Sequence, residues 1–198
     1  MNTNEIVFMD SKPEDQELLL VAPEVSHVIH LALDWKRRII HVAGEITPGD
    51  GERFWTILEY LGSDPVQVHL NTPGGDVDSM YAMHDAIRRH GLVMVIGYGM
   101  VCSAGVLLLA CGHHRKVTQS CVLMSHESHS SGGEELGFRA SKDRRKFDDW
   151  QHEWWCELMG RYTPYDATWW RKTTDRKAEY WLLGGKQIVE AGLADEVV

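Results

Sequence analysis

Residues 65–112 read PVQVHLNTPGGDVDSMYAMHDAIRRHGLVMVIGYGMVCSAGVLLLACG, and the way this stretch is punctuated decides the fold. PVQVHLN alternates apolar and polar residues and is rich in β-formers, which predicts a strand. TPGGD predicts a turn, because proline and paired glycines end regular structure. VDSMYAMHDAIRRH places Met80, Met83 and Ile87 at helical spacing, and Gly91 stands just past the end as a stop. LVMVIGY is an apolar run of strand length, the pattern of a buried strand. Strand, helix and strand in this order predict parallel pairing through a right-handed crossover.

The same grammar continues outward. RRIIHVAGEI (37–46) predicts a strand ending at Gly44. DGERFWTILEYLG (50–62) predicts a helix with Phe54, Ile57, Leu58 and Leu61 on one face and Gly62 as its stop. Beyond LVMVIGY, Ser103 opens a short apolar helix, AGVLLLACG, and CVLMSH (121–126) follows as a strand. The result is an α/β fold with a mostly parallel sheet. Residues 127–161 change character, with a Ser/Gly-rich lead and then a long charged helix. Its apolar residues Phe147, Trp150, Trp154 and Leu158 recur every three to four positions, and most of its faces are polar. Such a helix is expected to project from the domain, with core packing and an interface with a partner subunit as the two uses of its aromatics. A helix near Pro164–Lys172, a strand near Tyr180–Leu183 and a last helix, GKQIVEAG, complete the pattern. Residues 1–26, with Pro13, Pro23 and dense acids, predict an arm. Residues 27–198 predict a single domain.

Composition excludes several classes. The chain has 198 residues, 43% of them hydrophobic, and a net charge of −9. That balance disfavours nonspecific binding to nucleic acid or to an anionic membrane. The cluster KDRRK (142–146) has acids around it and reads as a solvated helix face. No window approaches a membrane span in apolar length, and the N-terminus lacks a basic region leading into a long apolar core, so a cytoplasmic location is expected. Cys102, Cys111, Cys121 and Cys156 form no CxxC pair. They predict buried free thiols in a reducing compartment, not disulfides or a zinc site. His126 and His129 have no acidic or thiol ligands at suitable spacing, so neither a metal nor a cofactor is expected.

Ser103 carries the chemistry. A residue between a strand and a helix sits beside unpaired N–H groups and the positive end of the helix dipole, where a developing oxyanion is stabilised. Such a serine is either a nucleophile or an N-cap. Val101 stands where the G-x-S-x-G elbow needs glycine, so this is not that motif. His126, ending a strand, is the candidate base, and His113, His114 and His129 read as surface residues. The glycines of the Pro73–Gly75 turn leave backbone N–H groups open to a ligand, without the Lys-Ser/Thr of a phosphate loop. The order is the specific signal: a P-G-G turn, a serine about 28 residues on, and a histidine about 23 residues beyond it.

LNTPGGDVDSMYAMHDAI, GMVCSAGVLLLACG and VLMSH together resemble the proteolytic subunit of the Clp protease, ClpP. RRIIHVAGEI is similar to that family's first core strand and GKQIVEAGLADEVV to its C-terminal segment, so the resemblance runs from about Arg37 to Val198. It implies a crotonase-like fold, a repeated ββα-type spiral with parallel sheets and a protruding handle helix over 127–161. It implies Ser103 as nucleophile, His126 as base, and the backbone N–H groups of Gly75 and Ala104 as oxyanion hole. Ala104 stands where the family often has methionine, which a backbone role tolerates. The family's third member is an aspartate ahead of an aromatic-aliphatic strand. Here EYWLLGG offers Glu179, while counting back from AGLAD without a gap lands on Tyr180. Asp175 in TTDRK is the other candidate, and motif register favours Glu179.

The resemblance further implies an ATP-independent serine endopeptidase core. It degrades unfolded polypeptides within two stacked seven-membered rings, a tetradecamer fed by a ClpX- or ClpA-like AAA+ unfoldase, with the 1–26 arm as axial loop. Three alternatives stand beside it. One is a catalytically impaired structural ring subunit, motivated by the ambiguous acid. Another is a crotonase-type acyl-CoA enzyme, which should carry a catalytic glutamate beside the hole. The third is a Cys102 nucleophile, whose side chain should face away from that of Ser103.

Overall fold

The computed structural model describes residues 30–127, 138–175 and 179–198. The 1–26 arm, the Ser/Gly-rich lead of the handle from 128 to 137, and His129 within it lie outside the described residues.

The predicted alternation appears as β2 (Ile39–Ala43), α1 (Asp50–Leu61), β3 (Val66–Thr72), α2 (Val77–His90), β4 (Val93–Cys102), α3 (Ala104–Ala110) and β6 (Val122–Ser125). Strands β2, β3 and β4 pair in parallel, in register Ile40↔Val68 and Val68↔Val95. The glycine stops act as read. Gly91 caps α2 in the left-handed region at φ 84° and its N–H donates to Ile87 O, and Gly62 closes α1 at φ 70°.

Three strands were not legible in the sequence: β1 (His30–Asp34), β5 (His114–Val117) and β8 (Glu196–Val197). β1 pairs antiparallel with β2, while β5 joins β4 and receives β8, both in parallel. β7 (Tyr180–Leu183) pairs antiparallel with β6. The remaining helices are α4 (Phe138–Tyr162), α5 (Ala167–Thr174) and α6 (Gly185–Glu190).

Strand β4 gives the sheet its winding form. The expected strand ended at Tyr98, but β4 runs on to Cys102. Its first half, Met94–Gly97, pairs with β5, and its last residues, Met100–Cys102, pair with β6. The turn between partners falls at Gly99, at φ 55°, where the β3–β4 register also shifts. A glycine inside an apolar run thus bends the strand without ending it. The Asn71 side chain secures the bend, because its Oδ1 accepts from Met100 N at 3.1 Å.

The core lies between the sheet and helices α1, α2 and α3. Ile40, Val42, Val68, Leu70 and Val95 meet Phe54, Leu58, Met80, Met83 and Ile87 there. All seven residues of α3 are buried. Each fully buried leucine or valine contributes roughly 1.5–3 kcal/mol, so this short helix is fixed by packing more than by propensity. The long helix divides in two. Residues 141–150 are almost all exposed, including Trp150 at 57%, whereas Trp155, Leu158 and Met159 enter the core.

His84 ties α2 to the end of α4. Its Nδ1 lies 2.8 Å from Asp85 Oδ1 and its Nε2 2.9 Å from the Tyr162 hydroxyl. Burial pushes its pKa below the ordinary histidine value, outweighing the opposite pull of Asp85, and Arg88 and Arg161 add to the depression. A depressed histidine contributes stability that is present above its unfolded pKa and lost as pH falls through the folded one. Melting temperature is therefore expected to fall from about pH 7 to pH 5. His84→Gln should flatten that slope in a pH series of thermal melts, and an unchanged slope would count against this assignment.

Candidate active site

Ser103 occupies the junction of β4 and α3 with φ 53° and ψ −119°. Only Ser103 and Arg38 among the described non-glycine residues have positive φ, and the Ser103 combination is not the ordinary left-handed helical one. As an N-cap, a serine would have extended backbone and would accept a hydrogen bond from the second or third helical N–H. Ser103 makes no such side-chain bond. Its backbone is held instead by Ser103 N donating to Met124 O at 2.7 Å. A strained residue at a strand-to-helix turn, with its hydroxyl unused for capping, has the local geometry of a nucleophile.

The P-G-G turn lies against it. A β-carbon placed on Gly74 would sit 2.5 Å from Ser103 Cβ and 3.0 Å from Ala104 N, so the two segments touch through their backbones. Gly75 bridges Ile46 in parallel fashion. The bonds of that bridge belong to its neighbours: Ile46 N donates to Gly74 O, and Asp76 N donates to Ile46 O, each at 2.8 Å. In a parallel bridge the central residue's own N–H and C=O point to the opposite edge. For Gly75 that edge is the β4 side, where Ser103 lies. The Ala104 N–H, at the first position of α3, has no intrahelical acceptor. Two N–H groups thus border the serine.

Sequence reading overlooked Thr72 as a builder of this turn. It is fully buried, and its Oγ1 accepts from Gly74 N at 3.0 Å. The signal was present as a threonine two residues before a turn glycine, a spacing at which hydroxyls bond locally to backbone. Gly105 belongs to the same contact, because a β-carbon there would meet Thr72 Cγ2 at 2.6 Å.

His126 follows β6 directly. Cys102 pairs with Met124, so Ser103 and His126 emerge at the same end of adjacent parallel strands. His126 Nδ1 lies 2.6 Å from Glu127 O. A carbonyl only accepts, so Nδ1 carries a hydrogen in this contact, and in a neutral imidazole so held the lone pair of a general base lies on Nε2. His113 is exposed, as expected, with Nδ1 accepting from Val93 N at 3.3 Å. His114 is exposed and pairs with Glu196 at 2.8 Å.

The two candidate acids occupy different elements. In the β6–β7 ladder Ser125 opposes Tyr180, so His126 and Glu179 are the next positions of that register. The face they continue, with Met124 and Trp181, is the more exposed one, whereas Leu123, Ser125 and Leu182 on the other face are buried. Glu179 Oε2 accepts from Trp181 Nε1 at 2.9 Å. Asp175 caps the C-terminus of α5, and its charge acts on His152 of α4, as does that of Glu127. Tyr180, the ungapped match, packs its ring against Trp169 and Trp170. Cys102 is buried, and burial pushes its thiol pKa up. That opposes thiolate formation, whereas Ser103 next to it is half-buried.

A wound, mostly parallel sheet with a strained serine at the end of a central strand and a glycine turn against it defines the crotonase-like α/β class. The chain belongs to the Clp protease family, whose model matches residues 25–198. It is 28% identical over 175 residues to the ATP-dependent Clp protease proteolytic subunit 3 of Rhizobium meliloti, covering 83% of this chain and 85% of that protein. It is 44% identical over 77 residues to the proteolytic subunit 2 of Treponema pallidum, 36% of this chain and 39% of that protein. With the subunit 2 of Borreliella burgdorferi it shares 36% identity over 89 residues, 42% of this chain and 45% of that one. The chain thus spans less than half the length of these last two relatives. That family is one of proteases, whereas the crotonase-like fold taken alone is shared with acyl-CoA enzymes. No described helix is long and apolar enough to cross a membrane.

Proposed function

We propose that this chain is the ATP-independent serine endopeptidase core of a Clp-type protease, with Ser103 as nucleophile and His126 as general base. Glu179 is the orienting acid, taking over at His126 Nδ1 the place that the Glu127 carbonyl holds in this structure, and the N–H groups of Gly75 and Ala104 form the oxyanion hole. His126 Nε2 takes the proton as Ser103 Oγ attacks the scissile carbonyl, and the two N–H groups receive the charge on the carbonyl oxygen. His126 then returns the proton to the leaving amine, and water releases the acyl group by the same route. The carrying observation is the Ser103 backbone, at φ 53° and ψ −119° without a capping bond.

Residues 27–198 act as one domain in this reading, with 1–26 as axial loop and 127–161 as handle. The assembly is two stacked seven-membered rings in the cytoplasm, receiving unfolded polypeptides from a ClpX- or ClpA-like AAA+ unfoldase. Glu179 requires one inserted residue in LLGG. The turn into α6 accommodates it: Gly184 adopts φ 99°, and both Gly184 and Gly185 hydrogen-bond back to the segment before β6, at Cys121 O and Gln119 O. A catalytically impaired ring subunit is the second reading, favoured by the carbonyl of Glu127 holding Nδ1 of His126.

A fluorophosphonate reagent and a fluorogenic peptide test both, on protein whose oligomeric mass has been measured. Ser103 is expected to be labelled. Glu179→Gln should lower kcat by about 10³–10⁴-fold, as loss of the orienting acid does in such triads, while Asp175→Asn changes it only a few-fold. The reverse pattern moves the acid to Asp175. An unlabelled Ser103 in the assembled protein supports the impaired subunit.

A further inference from the structure

The proposed acid is a glutamate, and a glutamate has one more rotatable bond to immobilise than an aspartate. An exposed carboxylate on that longer arm needs something to hold it if it is to orient a histidine. The residue in place to do so is Trp181. It is two residues along β7 from Glu179 and therefore on the same face of the strand. Its Nε1 donates to Glu179 Oε2 at 2.9 Å. An indole N–H can only donate, and its ring turns about only two side-chain torsions, so it suits holding an acceptor in one place.

Three further observations agree. Trp181 opposes Met124 in the β6–β7 ladder, and Met124 O accepts from Ser103 N, so the tether stands across from the nucleophile's anchor. The Trp181 side chain remains 42% exposed, so filling the core does not explain it, unlike Trp170. The Glu179 charge also reaches the Cys102 thiol, which puts the carboxylate's field at the residue beside Ser103.

We infer that Trp181 is a positioning residue for peptide hydrolysis. Its indole N–H holds one oxygen of the Glu179 carboxylate so that the other faces His126. This rests on the reading of Glu179 as the acid. With one oxygen occupied, the extra torsion of glutamate is fixed and the carboxylate presents a single direction to the imidazole. A tryptophan after the acid thereby compensates for the longer side chain.

The test is a double-mutant cycle on the assembled protein with a fluorogenic peptide, using Trp181→Phe, Glu179→Ala and the pair. Trp181→Phe keeps an aromatic ring on the strand and deletes the donor. It is expected to lower kcat about five-fold, the scale of one partly solvated hydrogen bond to a charged group, with KM and oligomeric mass unchanged. In the Glu179→Ala background the same change should have no effect on kcat. An equal fall in both backgrounds, a change confined to KM, or no change in the wild-type background overturns the tether. If Glu179→Ala itself keeps wild-type kcat, the acid assignment fails and the tether goes with it. If Glu179→Ala is strongly impaired while Trp181→Phe is silent, the acid stands and only the tether is lost.

Discussion

Ser103→Ala is expected to lower kcat/KM for a fluorogenic peptide by about 10⁵-fold or more, the loss seen when a triad nucleophile is removed, without a change in melting temperature or assembly. The two halves of that expectation have separate causes. Activity falls because the hydroxyl supplies the bond-forming oxygen, and neither Cys102 nor Ala104 can replace it. Stability stays because the hydroxyl does no structural work: it makes no capping bond to α3. The backbone bond to Met124 O and the strained φ persist in alanine. An ordinary N-cap serine behaves the other way, losing about 0.5–2 kcal/mol of stability on truncation. Thermal melts and peptide turnover on the same sample therefore decide between a nucleophile and a cap. A lowered melting temperature with retained turnover would mean that Ser103 is only a cap.

What was legible in the sequence follows from where the specifying information lies. β2, β3, α1 and α2 are marked locally, by apolar periodicity and by glycines that end each helix, so they could be read without knowing their neighbours. β5 reads HRKV and has no period of its own. It is a strand because β4 offers it a ladder and because Arg115 ties it to the C-terminal segment through Asp195 and Gly192 O. β8 has two residues and exists only through its pairing with β5. The bend in β4 was hidden because Gly99 inside an apolar run can signal either an end or a turn between partners, and the Asn71 side chain, bonded to Met100 across 29 residues of sequence, settles which.

The site divides the same way. Ser103 and the P-G-G turn were legible as an ordered set, but their contact through Gly74 is a fact of packing. The acid was ambiguous because its identity hangs on one residue of register ahead of α6. The β6–β7 ladder and two glycines bonding back to Cys121 and Gln119 fix where β7 lies against β6, and local periodicity reveals none of these.

Gly74→Ala provides the sharpest test of that packing. Gly74 has φ 102°, and an added β-carbon would lie 2.5 Å from Ser103 Cβ, 2.9 Å from Cys102 O and 3.0 Å from Ala104 N. Two of those three neighbours are backbone atoms in the strand end and the first turn of α3, so they cannot rotate aside. The turn must withdraw from the serine, yet it is pinned on its other side, since Gly74 O accepts from Ile46 N at 2.8 Å. Any movement that relieves the clash carries the N–H of Gly75 away from the carbonyl oxygen it is proposed to receive. Loss of one oxyanion donor costs about 10²–10³-fold in kcat, and that is the expected result for Gly74→Ala. The control is Gly62→Ala at the end of α1, where φ is also positive at 70° but an added β-carbon meets nothing within 4 Å. Both substitutions should lower the melting temperature through backbone strain. Only Gly74→Ala should also reduce kcat of the protein that remains folded. Equal turnover per folded subunit in the two variants would reduce the P-G-G turn to a structural element and remove Gly75 from the oxyanion hole.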